Sequence, residues 1–122
     1  MKEYIQISTT TGRKKDAEKI AQVLVQKKLA ACVQVIANVS STYWWKGNIE
    51  RTREWLCIIK SGKTLFEQVE KAIKEIHPYE IPEITAVPLV AGSKEYFRWL
   101  DKRLSTLGIG RQKNPPFDMF HK

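Results

Sequence analysis

Alternating polar and apolar positions indicate β-structure in several parts of the chain. The predicted strands are residues 3–9, 30–36, 49–61 and 84–87. The first and third alternate with the two-residue period of a strand, while the second is a β-branched run. Gly47 lies just before the third strand, which predicts a tight reversal and a β-hairpin.

Other segments repeat their apolar residues at helical spacing. The predicted helices are residues 13–28, residues 64–76 and a last helix that begins after Ser93. The second starts with a capping-box pattern from Thr64 to Glu67. The order β-α-β-β-α-β is the split βαβ, or ferredoxin-like, arrangement. We therefore predict an α+β fold: a ferredoxin-like βαββαβ antiparallel sheet with both crossover helices on one face.

The predicted hairpin is unusual for an isolated domain. Its arms have roughly a dozen residues, about twice the usual strand length, and Tyr43, Trp44 and Trp45 lie at its tip. A long open edge and an aromatic tip both favour association with further copies. We expect a homo-oligomer in which the hairpins extend one another's sheets. Residues 1–107 form the predicted domain, and residues 108–122 read as a C-terminal extension.

Charge and composition exclude several classes of protein. The net charge of the 122-residue chain is +8, but its lysines and arginines alternate with glutamates, as on solvated helix faces. We therefore expect no nucleic-acid partner. No apolar run approaches the ~20 residues of a membrane span, so we expect no membrane partner. Cys32 and Cys57 lie in apolar runs without metal or redox spacing, which favours a cytosolic location.

The run from His77 to Glu83 concentrates an imidazole, a phenol and carboxylates after the second predicted helix. Its two prolines disfavour helical geometry for the residues before them. Metal-competent groups are therefore held on a stiff connector, which is a suitable place for a binding site. The structural alternative is that His77 closes the helix end, or bonds to nearby backbone or Tyr79 and organises a subunit contact.

Several collinear segments resemble the CutA divalent-cation-tolerance family. They are residues 28–33, 43–49, 54–60, 77–83 and 96–100. The resemblance implies a ferredoxin-like fold, a tight homotrimer, and binding of divalent metal ions, copper first. By position, His77 and Glu83 are the metal ligands it implies. Some members place a cysteine near the end of the first strand, where this chain has Ser8.

A second hypothesis uses the cleft between subunits. The family-matching residues Lys60, Glu54, Tyr79 and Trp45 can line such a cleft, with Lys60 and Glu54 on one strand face. Such a cleft can bind a small ligand or a protein partner, as in the PII signalling proteins. The structural alternative is an ion pair between Lys60 and Glu54. With no nucleophile–base pair in the sequence, we expect no enzymatic activity.

Overall fold

The computed structural model describes residues 2–105 and contains one four-stranded antiparallel sheet in the order β2-β3-β1-β4. Its elements are β1 (Tyr4–Thr11), α1 (Lys14–Gln26), β2 (Cys32–Trp45), β3 (Asn48–Gly62), α2 (Phe66–Ile76), β4 (Thr85–Pro88) and α3 (Lys94–Arg103). This topology confirms the predicted ferredoxin-like order. The predicted extension, residues 108–122, lies outside the described residues.

The core lies between the sheet and the first two helices. Its fully buried side chains include Ile7 and Ile59 from the sheet, Ile20 and Leu24 from α1, and Val69 and Ile73 from α2. The alternation along the strands and the 3.6-residue period of the helices each create an apolar face, and these faces pack against each other in this layer. None of the helices within residues 2–105 is long and apolar enough to cross a bilayer.

Helix α3 packs against the opposite side of the sheet at one end. Tyr4 stacks on Phe97 with ring centroids 4.9 Å apart. The Leu104 side chain packs over Gly62, 3.5 Å from where a Cβ would lie if this residue were alanine. The Ser93 hydroxyl accepts a hydrogen bond from the backbone N–H of Tyr96, which confirms the predicted cap.

The start of α2 differs from its prediction. Thr64 lies inside a 3-10 turn, Lys63–Leu65, and makes no side-chain cap hydrogen bond to the helix. The capping-box interpretation was wrong because α2 begins two residues later, at Phe66. The apolar stripe of the helix is unaffected by this shift.

The β2–β3 hairpin extends well beyond the rest of the sheet. Strand β1 pairs with residues 55–62 of β3, so residues 48–54 pair with β2 alone. At about 3.3 Å per residue, this overhang is about 20 Å long. Lys46 and Gly47 form the turn with φ of 51° and 82°, as expected for a two-residue hairpin turn. The tip leaves Trp44 72% and Ile49 58% exposed.

Candidate functional site

The connector after α2 is anchored to the sheet by His77. His77 is 9% exposed. Its Nε2 is 2.8 Å from the Thr10 carbonyl oxygen, and its Nδ1 accepts a hydrogen bond from the backbone N–H of Tyr79 at 3.1 Å. An acceptor faces Nε2 and a donor faces Nδ1, so the proton is on Nε2. Burial lowers the pKa of His77 and outweighs the opposing effect of the Thr10 hydrogen bond. His77 is therefore a neutral group with both nitrogens engaged.

Glu54 is the buried charge of the site. It is 5% exposed; one carboxylate oxygen accepts from the Ser41 hydroxyl and the other from the Tyr79 hydroxyl, each at 2.6 Å. These short bonds are charge-assisted and connect both hairpin arms to the connector. Within residues 2–105, no lysine, arginine or histidine forms an ion pair with this carboxylate. Burial and the bond to Glu54 raise the pKa of the Tyr79 hydroxyl above its usual value, so it remains a donor.

A cleft of about 800 Å³ opens above Glu54, between the hairpin and the connector. We call it the Glu54 cleft. Four aromatic residues line it: Tyr43, Trp44, Trp45 and Tyr79. Thr10, Ser41 and Thr42 also line it. A concave, partly apolar cleft with a few polar groups is the usual form of a small-ligand site.

The charge of the cleft is opposite to that of the chain. Glu54, Glu80 and Glu83 line it, whereas no lysine or arginine is among the described residues that do so. The net charge of the whole chain is +8. Lys46, in the hairpin turn, places its ammonium 5.6 Å from the ring centroid of the lining residue Trp45. The local field in the cleft therefore favours a cation.

The residues predicted to hold a metal are not arranged as a preformed centre. Among residues 2–105, no group of three or more His, Cys, Asp or Glu side chains is placed to hold one ion. Glu83 is exposed and one of its oxygens accepts from the Thr85 hydroxyl at 3.2 Å. Both nitrogens of His77 are engaged with backbone groups. The donor set fits a loosely held ion on accessible carboxylates, and does not fit a closed site within one protomer.

The second set of predicted residues is largely brought together. Trp45, Glu54 and Tyr79 all line the cleft, but Lys60 does not. Lys60 lies six residues further along β3, about 20 Å away at the rise of a strand, and its ammonium donates to the Gln34 amide oxygen at 3.4 Å. The predicted pairing of Lys60 with Glu54 was therefore wrong, since residues that share a strand face need not be neighbours.

Ser41 was missed by the sequence analysis, although a signal for it exists. A two-residue turn at Lys46 and Gly47 sets the hairpin register, and Ser41 then pairs with Thr52. Ser41 is consequently the diagonal neighbour of Glu54 on the same face, within reach of a hydrogen bond. Glu80 was noted only as part of the connector, and its position in the cleft depends on the path of that connector.

Comparison with known proteins connects this architecture to a family. Residues 5–103 match the family described as CutA1 divalent ion tolerance protein. The divalent-cation tolerance protein CutA of Archaeoglobus fulgidus is 38% identical over 96 residues, 79% of this chain and 93% of that protein. Protein CutA 1, chloroplastic, of rice is 33% identical over 96 residues, and the match covers 79% of this chain but only 54% of the rice protein.

Solved structures have the same fold. The crystal structure of CutA1 from Oryza sativa superposes with a TM-score of 0.83 at 31% identity, covering 85% of this chain and 95% of that one. The crystal structure of CutA from Xylella fastidiosa gives a TM-score of 0.81 at 35% identity, covering 84% and 98%. The resemblance read from the sequence is thereby confirmed, and the chain belongs to the CutA1 divalent ion tolerance protein family.

Proposed function

We propose that the protein is a homotrimer that binds cations in the Glu54 cleft, with divalent metal ions as the first candidates. The observation that carries this proposal is the carboxylate of Glu54, which is 5% exposed and has neutral hydrogen-bond donors but no cationic partner among residues 2–105. Buried charges in proteins are usually paired or bound to a metal. A cation that enters the cleft supplies the missing positive charge.

Family membership supports divalent ions as the ligand class, and we propose Cu²⁺ first because it binds most tightly at most N/O sites. Glu83 is the accessible carboxylate of the predicted pair. His77 can ligate only by releasing the Thr10 carbonyl or the Tyr79 N–H. Leaving such a buried group unsatisfied costs about 1–3 kcal/mol, which weakens binding about five- to 150-fold. We therefore expect weak metal binding, with Glu83 contributing directly and His77 mainly holding the connector.

The shape of the hairpin supports the trimer. In a single protomer the hairpin overhang leaves Trp44 of β2 and Ile49 of β3 exposed, and β2 is an edge strand of the sheet. Exposed apolar patches with open strand edges are typical of assembly surfaces. A cyclic arrangement would close these edges symmetrically. In the proposed trimer, the Glu54 cleft lies between subunits because it is bordered by this same hairpin tip.

We further propose that the protein acts without enzymatic chemistry and without nucleic acid or membrane partners. Its proposed location is the cytosol, where free thiols such as Cys32 and Cys57 stay reduced. Relatives differ in this respect: the rice relative is named chloroplastic, and the Archaeoglobus fulgidus protein is described as periplasmic.

The experiment is calorimetric titration of Cu²⁺ and Zn²⁺ into chelator-stripped protein, with the mass followed by light scattering. We expect saturable binding by a species of three times the 14.1 kDa chain mass. Glu54→Gln and Glu83→Gln should weaken it, whereas Glu70→Gln should not, because Glu70 pairs with Lys74 on α2 outside the cleft.

His77→Gln separates the two roles of the histidine. An affinity within about threefold of wild type assigns His77 to positioning, whereas a loss beyond tenfold makes it a ligand. Equal binding in wild type, Glu54→Gln and Glu83→Gln would contradict the proposed site.

A further inference from the structure

The negative charges of the Glu54 cleft are distributed along it. Glu54 lies at the base of the hairpin overhang, while Glu80 and Glu83 belong to the connector. Although all three line one cleft of about 800 Å³, no three acidic, His or Cys groups within residues 2–105 are placed to share a single ion. A point charge can therefore satisfy only part of this acidic lining, whereas a longer cation can reach more of it.

The aromatic walls favour the same kind of ligand. Tyr43, Trp45 and Tyr79 are each 36–39% exposed, and Trp44 is 72% exposed. Ammonium and guanidinium groups bind over such rings, and Trp is the best of them. The chain already shows this contact, with the Lys46 ammonium 5.6 Å from the centre of the Trp45 ring. A hydrated metal ion gains little from aromatic walls, but an organic cation gains from them and from the carboxylates together.

We propose that the Glu54 cleft binds an elongated organic cation with N–H groups at both ends, a diamine or an amino-guanidine. This inference rests on the proposed cation-binding function of the cleft and names a ligand class for it. One cationic end donates to Glu54, whose two oxygens each use one acceptor site for Ser41 or Tyr79 and retain others. The methylene chain lies along the Tyr43 and Trp45 rings, which share the strand face of Ser41, and the other end lies near the connector carboxylates.

The test is calorimetric titration with agmatine, which carries an ammonium and a guanidinium, in buffer containing a chelator. We expect saturable binding that neutral butylurea does not reproduce. Glu54→Gln should weaken agmatine about ten- to a hundredfold, as expected for a lost hydrogen bond to a charged group. Trp45→Leu should weaken it about two- to fivefold, as expected for an exposed cation–π contact. Glu70→Gln, outside the cleft, should leave it unchanged.

Because Glu54 is buried, Glu54→Gln can misfold, and a second variant keeps the test decisive in that case. Glu80 is exposed, so Glu80→Gln should keep the fold and still weaken agmatine severalfold. The inference is overturned if agmatine fails to saturate, if butylurea binds equally well, or if neither glutamate variant changes the affinity.

Failure of this inference is distinguishable from failure of the proposed metal binding. Chelator removes metal from the agmatine titration, and the Cu²⁺ and Zn²⁺ titrations contain no organic cation. Agmatine binding without metal binding would support the inference and refute the metal ligand. Metal binding that is lost in Glu54→Gln, without agmatine binding, would support the proposed function and overturn the inference.

Discussion

Replacement of Tyr79 by phenylalanine removes one hydroxyl and tests the network that joins the connector to the hairpin. The Tyr79 hydroxyl donates to Glu54 at 2.6 Å, and Glu54 is 5% exposed. In Tyr79→Phe the carboxylate stays buried with Ser41 as its remaining side-chain donor. Hydrogen bonds to charged groups contribute about 1.5–3 kcal/mol. The ring of Tyr79 is 36% exposed, so water can partly replace the hydroxyl, and we expect a loss of about 1.5 kcal/mol.

The assay is guanidinium-induced unfolding at one fixed protein concentration, because the stability of an oligomer depends on concentration. Tyr43→Phe is the matched control: its hydroxyl lies 3.5 Å from that of Thr52 at an exposed site, and we expect a loss below about 0.5 kcal/mol. A double-mutant cycle of Tyr79→Phe with Glu54→Gln should give a coupling of about 1 kcal/mol or more. Equal losses for the two phenylalanine variants, or no coupling, would refute the reasoning.

Three further predictions concern pH, assembly and the hairpin turn. The lowered pKa of His77 keeps it neutral in the fold while the unfolded chain takes a proton. Wild type should thus lose stability relative to His77→Gln as the pH falls below 6.5, by at most about 1.4 kcal/mol per pH unit. Curves of unfolding free energy against pH that run parallel for the two proteins would contradict this. Trp44→Lys should lower the mass measured by light scattering, whereas Val25→Lys, at an exposed position on α1, should not. Gly47→Ala should lower the free energy of unfolding by about 1–2 kcal/mol, because φ at this residue is 82°, a conformation that is strained for alanine. No atom lies within 4 Å of the new Cβ, so the loss comes from the backbone and not from a clash. Gly12→Ala, without a positive φ, should cost less, and equal losses would argue against backbone strain.

The fold could be predicted because its local signals agree with one another. The alternation around Ile7 and Ile59 and the helical stripe through Val69 and Ile73 place the same side chains in the core that the structure buries. The start of α2 was less predictable, because the Thr64 signature competes with a 3-10 turn. Trp99 was not predicted to be buried, yet it is 7% exposed. Its environment depends on where α3 packs, which helical spacing alone does not determine.

The site was predicted in its residue types more than in its contacts. The sequence assigned His77 to a metal site and Glu54 and Tyr79 to a separate cleft hypothesis, and it did not show that Tyr79 contacts both His77 and Glu54. Both nitrogens of His77 bond to backbone groups, and backbone partners have no signature in the side-chain pattern. Lys60 illustrates the opposite error, since a shared strand face suggested a contact that the length of β3 prevents.

The most direct test of cation binding in the Glu54 cleft is a titration followed by the indole N–H signals of uniformly ¹⁵N-labelled protein. The chain has four tryptophans; Trp44 and Trp45 line the cleft, whereas Trp55 and Trp99 do not. With Zn²⁺, and separately with agmatine in chelator, we predict saturable shifts of the Trp44 and Trp45 signals alone. Unchanged spectra with both ligands, or equal shifts of all four signals, would contradict a cation site in the Glu54 cleft.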